Sequence, residues 1–210
     1  MRFKKGMALA AASAMTLTAV CGCSVGKKVS ESEYSKTVGA KYGKEKIYLD
    51  ELFIYHRFAQ KEMDDTFDAY KDWGYLAADV TREEFYGATL SGELTVLQTV
   101  KQSAVASLYQ TRVLNDYAKE NNITLSDDDV KKVEEEVKHF TTGDEAYLFE
   151  GTVVNEDLLR RFFTENAIAN YAHEKLSEGY DTSVNEADFR VARGSYFLVL
   201  KDKYDDTDEA

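Results

Sequence analysis

Proline is absent from all 210 residues, cysteine occurs twice and histidine three times. Cys21 and Cys23 lie two positions apart near the N-terminus; with Cys21 lost in a cleaved leader, the remaining chain holds no pair for a disulfide. A Cys-x-Cys metal site has no further Cys or His nearby to complete it. His56, His139 and His173 fall on separate predicted helices without an HExxH or triad pattern, and read as inert exposed or helix-lining residues. There is no G-x-S-x-G elbow and no glycine-rich phosphate loop. Asp127, Asp128 and Asp129 lack the glycine and terminal glutamate of a calcium loop and read as a helix cap, so no metal site is assigned. Positive charge is also scarce, 26 Lys and Arg against 38 Asp and Glu, for a formal net charge of −12. It becomes more negative once a leader carrying Arg2, Lys4 and Lys5 and no acid is removed. Such a surface repels phosphate backbones, which argues against nucleic acid as a partner. What is present, 44% hydrophobic and 12% aromatic residues, suffices for one real core and part of a second.

The N-terminus carries the most specific local signal. Met1 to Lys5 give a basic start, Met7 to Val20 an apolar run too short to span a bilayer comfortably, and Val20, Cys21, Gly22 and Cys23 a small-residue site ending in cysteine. VCGC resembles the lipobox of bacterial lipoproteins. There, cleavage before the last Cys leaves its thiol to carry diacylglycerol and its amine to be acylated. The resemblance assigns lipid attachment, palmitate included, to Cys23; the alternative is an ordinary secretory leader with two incidental cysteines. Each buried CH₂ of a lipid chain contributes ~0.8 kcal/mol, so several chains hold stably where one would not. From Ser24 to about Ser35 the Ser, Lys, Glu and Gly composition reads as a flexible tether.

The centre of the chain is one long amphipathic helix from Leu94 to Glu120. Leu94, Leu97, Val100, Ala104, Leu108, Val113 or Leu114, and Tyr117 recur three or four residues apart with no glycine or proline between them. At ~1.5 Å per residue it runs roughly 40 Å, which requires other helices to pack along it. Ser126 with Asp129 caps a second stripe of Val130, Val133, Val137 and Phe140. Before the central helix, Val38 to Tyr48 suggest a small hairpin. Asp50 is the expected cap of a helix carrying Leu52, Tyr55 or His56, Ala59, Met63, Phe67 and Tyr70 and ending at Trp73 and Gly74. Thr81 with Glu84 forms a capping box for a shorter helix, and Ser91 and Gly92 lead onward. After Phe140 a loop runs around Gly143 and Gly151. Asn155 caps a last helix lined by Leu158 or Leu159, Phe162, Asn166, Ala169, Ala172 and Leu176, ending at Gly179. Phe189 to Leu200 are β-formers, followed by an acidic tail.

Three stretches taken together, AKYGKEKIYLDELFIY, LYQTRVLNDYAKENNITLSDDDVKKVEEEV and VVNEDLLRRFFTENAIANYAHEKL, resemble the N-terminal chaperone region of the PrsA/SurA type of extracytoplasmic foldases. In that family a hairpin leads into a helix, and a long helix ends in an Ala-Lys element before an Ile and a Ser-Asp cap. A further helix follows. The resemblance covers Thr37 to Leu176, and the lipoprotein leader points to the PrsA-like branch. It implies a mainly α fold: a long-helix SurA/PrsA N-terminal-like chaperone domain with a small N-terminal β-hairpin and a C-terminal strand from an incomplete parvulin-like domain. The expected organisation is a signal peptide over 1–22, a tether over 23–36, the helical domain over 37–180 and the parvulin-like start over 184–210. ARGSYFLVL is similar to the first strand of a parvulin peptidyl-prolyl isomerase, but Tyr196 stands where that family commonly has a His. No second His, acidic or thiol group, or proline pocket carries over, so no catalytic residue is assigned. The unaccompanied strand points to a fragment of a longer isomerase, with a chaperone-only form as the alternative.

The resemblance implies a chaperone on the extracytoplasmic face of the bacterial envelope. It needs no cofactor, is held to the membrane through Cys23, and binds unfolded or partly folded exported proteins; homodimerisation stays open. Phe53, Tyr55, Phe58, Met63, Phe67, Tyr70 and Trp73 are the expected client-binding residues, because the first long helix is more aromatic than one core stripe requires. The competing reading is that these rings simply fill the core. A non-chaperone envelope lipoprotein acting as a scaffold or partner-binding module is the alternative function.

Overall fold

A computed structural model describes residues 29–89 and 94–178; Cys23, Ser91, Gly92, Tyr196 and the expected strand within 184–210 lie outside them. The described chain is mainly helical with one two-stranded antiparallel sheet. A 3-10 turn over Glu31–Lys36 leads into strands β1 (Val38–Tyr42) and β2 (Glu45–Tyr48), with Ala40 opposite Ile47 and Tyr42 opposite Glu45. Gly43, at φ +58°, supplies the left-handed residue that so short a connection requires. Ala40 and Ile47 are the buried residues of the hairpin, which packs them onto helix α1 (Leu49–Asp72) and the helix α3 (Val96–Glu120) beyond it.

Strand β2 passes into α1 without a side-chain cap. Asp50 sits inside the first turn, where its carboxylate accepts from the Glu51 N–H at 2.9 Å; the Leu49 N–H donates to the Thr37 carbonyl of the hairpin instead. The helix therefore starts one residue before Asp50, with a first donor satisfied by the hairpin backbone rather than by a capping side chain. At the other end Gly74 adopts φ +73°. Gly74 N–H bonds the Lys71 carbonyl and Tyr75 N–H the Tyr70 carbonyl, the paired arrangement that closes a helix on a left-handed residue.

Three capping boxes fix the starts of α2 (Arg82–Gly87), α3 and α4 (Asp127–Thr142), through Thr81 with Glu84, Thr95 with Gln98, and Ser126 with Asp129. Asn155 caps α5 (Glu156–Ser177) by accepting from the Leu158 N–H at 2.9 Å. Thr95 starts α3 two residues later than the apolar spacing suggests. The Thr95-x-x-Gln98 pattern marks this start in the sequence more sharply than the apolar spacing from Leu94 does.

Helices α1 and α3 lie antiparallel, with Glu51 beside Arg112 at one end and Phe67 in one cluster with Val96 at the other. Helix α5 packs against both, and α4 packs on α5 with Val133, Val137 and Phe140 in the shared core. The loop between them turns inward at Ala146–Leu148, so that Leu148 and Phe149 are buried beside Ile54 and Leu159. The central helix departs from the expected stripe: Leu97, Val113 and, on α4, Val130 are exposed. Val96, Val100, Ala104 and Leu108 carry the apolar half of its inner face, which continues through Thr111, Arg112, Asn115 and Ala118. No described helix is long and apolar enough to cross a membrane.

Candidate functional site

The aromatic residues of α1 divide between interior and surface. Phe58 lies among four other phenylalanines, stacked on Phe162 at 5.1 Å and edge-on to Phe140, Phe149 and Phe163 at 5.1, 5.7 and 6.0 Å. Tyr55 is buried edge-on to Phe162 at 4.8 Å, and half-buried Phe53 meets Tyr34 at 5.7 Å. Further along, Phe67 is buried with Phe85 and Val96, and Met63 packs against that cluster. Of the expected client-binding residues, Tyr55 and Phe67 are thus buried and Phe58 half-buried within packed clusters rather than open to solvent. The physical reason is that α1 serves two cores in succession, one closed by α5 and the loop after α4, the other by α2. Spacing along one helix cannot show what arrives from elsewhere in the chain.

Tyr70 and Trp73 do reach the surface, and Tyr75 lies exposed beside them. Their exposures are 38%, 68% and 74%. The ring centroids form a near-equilateral triangle: 6.4 Å for Tyr70 to Trp73, 6.0 Å for Tyr70 to Tyr75 and 6.0 Å for Trp73 to Tyr75, the last two close to perpendicular. The helix end builds this arrangement. A left-handed stop sets the residue after the glycine against the one in the last turn, here Tyr75 against Tyr70. The sequence signal for Tyr75 is an aromatic residue one position past the glycine stop at Gly74.

Beneath the triad, α2 is fastened to α1. Arg82 pairs with Asp64 and Asp68 at 2.8 and 2.7 Å, and its guanidinium lies 4.9 Å from the centre of the Phe67 ring. The Tyr86 hydroxyl donates to Asp64 at 3.0 Å, and burial with that carboxylate pushes its pKa up. Rings presented from a helix end braced in this way offer contact area at little conformational cost.

At the opposite end of α1 lies a second constellation, assembled from residues far apart along the chain. The buried Arg112 guanidinium bonds Glu51 and Glu165, with Glu45 of β2 at 3.4 Å; Arg161 completes the ring by bonding Glu51. Asn115 donates to the carbonyls of Thr111 and Glu165, each at 2.8 Å. Burial pushes the Glu51 carboxyl above its ordinary value, while Arg112 and Arg161 pull it down. Next to this cluster the Tyr42 hydroxyl donates to Asp116 at 2.8 Å; burial first, and then that carboxylate, push its pKa up to about 12. Each carboxylate of the cluster faces an arginine that stays protonated. It therefore has no free base and acts as a clasp joining the hairpin, α1, α3 and α5.

His56, His139 and His173 sit on α1, α4 and α5 respectively, and among the described residues no group of three or more His, Cys, Asp or Glu is arranged to hold a metal ion. No family model matches the chain, and neither a curated protein nor a solved structure matches it.

Proposed function

We propose that the helical unit is the chaperone region of a PrsA/SurA-type extracytoplasmic foldase, tethered to the membrane through a lipid on Cys23 and binding exported proteins before they fold. The observation that carries this reading is the triad of Tyr70, Trp73 and Tyr75, large rings left open to solvent while the other α1 aromatics are covered or half-covered. Exposed Trp and Tyr give adaptable, sequence-tolerant contact with chains that have no fixed shape. The Arg82 pairs with Asp64 and Asp68 fasten α2 to the helix that presents these rings, and the acidic coat keeps the protein soluble while it holds sticky clients. The isomerase activity of the family is not assigned to this chain, whose Tyr196 replaces the expected His.

The test is suppression of aggregation with several unrelated unfolded proteins. The native chain should protect all of them, and a Trp73→Ala/Tyr75→Ala variant of unchanged helicity should lose most of that protection. Protection of a single envelope protein alone would favour a scaffold, and undiminished protection by the double variant would remove the triad from the site.

A further inference from the structure

Charge is distributed unevenly around the aromatic surface. Between Glu62 and Glu84 the sequence carries eight carboxylates and only two cations, Lys71 and Arg82. Both cations are engaged. Arg82 is held by Asp64 and Asp68, and Lys71 donates to the Ala78 carbonyl at 2.9 Å with its ammonium 5.0 Å from the centre of the Phe67 ring. Asp72, Asp79 and Glu83 are exposed and form no ion pair among the described residues. Asp72 directly precedes Trp73, and Asp79 follows Tyr75 by four positions.

Uncompensated carboxylates beside exposed rings favour one kind of occupant. An acidic segment meets like charge, and a neutral one covers the rings while leaving the carboxylates beside newly desolvated surface. A segment with interspersed lysine or arginine gives the carboxylates partners, and its cations and their alkyl stems also lie favourably on Trp and Tyr faces. We propose that the Tyr70, Trp73 and Tyr75 surface selects unfolded segments in which lysine or arginine is interspersed with aromatic or aliphatic residues. This rests on the client-binding reading above and adds the chemistry of the client.

The chain contains a single tryptophan, Trp73, so its emission reports the surface directly. The full chain is titrated with three tryptophan-free peptides of identical apolar content whose polar positions are all Lys, all Ser or all Glu. The Lys peptide should bind about tenfold tighter than the Glu peptide at low ionic strength, and within about twofold of it in 1 M salt, because exposed ion pairs are weak and screened. An Asp72→Asn/Asp79→Asn variant alters only exposed positions. It should weaken the Lys peptide about fivefold, since each pair contributes modestly, and leave the Ser peptide unchanged.

Equal binding of the three peptides, or a preference that salt or the variant does not reduce, overturns the selectivity and leaves the chaperone reading standing. If no peptide perturbs Trp73 the selectivity falls too. The chaperone reading falls with it only if suppression of aggregation is also absent.

Discussion

Arg112 should be the most sensitive polar position in the described chain. Its residue is only 8% exposed, and three carboxylates from β2, α1 and α5 converge on it. Arg112→Met keeps the volume of the stem but leaves Glu51, Glu45 and Glu165 facing one another, with Arg161 alone to offset them. Removing one partner of a buried ion pair costs about 3–5 kcal/mol, because the remaining charge has lost its compensation without regaining water. Glu51→Gln is milder: Arg112 retains Glu165 and Glu45, and the loss is about 1–3 kcal/mol. Total stabilities are about 5–15 kcal/mol, so the Arg112 variant approaches the limit of folding. In a chain of this length the loss corresponds to a fall in Tm of roughly 6–20 °C. Urea unfolding followed by far-ultraviolet circular dichroism measures each variant and the double variant. The two substitutions should fall short of additivity by about 1–3 kcal/mol, as expected of groups in direct contact. An Arg112→Met cost below about 1 kcal/mol, or additivity within about 0.5 kcal/mol, would refute the claim that this cluster is desolvated and shared.

Phe58→Ala should cost about 3–5 kcal/mol, because the ring touches four other phenylalanines and the space it leaves cannot close. Trp73→Ala, at a ring 68% exposed, should stay within about 0.5 kcal/mol of wild type in the same assay. Burial, with Lys101 and Arg57 nearby, holds the His56 pKa below its ordinary 6.5. As pH falls through that value the unfolded chain takes a proton that the folded histidine refuses, so stability declines until the folded value is reached, by at most about 1.4 kcal/mol per pH unit. His56→Leu should flatten that part of the pH profile, and an unchanged slope would contradict the assignment. Thr95→Ala removes one capping box and should cost about 1 kcal/mol in urea unfolding. Cys23→Ala should abolish incorporation of labelled palmitate into the expressed protein; persistent labelling would refute the lipidation site.

Local rules determined where the helices stand. Thr81, Ser126 and Asn155 announce their helix starts by side chains that reach only three residues ahead, and Gly74 stops α1 because its backbone adopts a conformation that other residues resist. Such signals are short in range, so the order of elements and the mainly helical class were readable before any packing was known. The hairpin was legible for the same reason, from alternating residues around Gly43.

Tertiary structure decided which face of each helix was used. Val96 rather than Leu97 turned inward because α2 and the distal end of α1 meet α3 there, and Val113 stayed outside because Arg112 took the inward position with Glu51 and Glu165. An arginine in a helix reads as solvated until its partners, 53 and 61 positions away along the chain, are seen to converge on it. The aromatic residues of α1 were equally ambiguous in one dimension. Phe58 and Trp73 have similar character in the sequence, and only the arrival of α5 and the inward turn of the loop after α4 covered the first and left the second open.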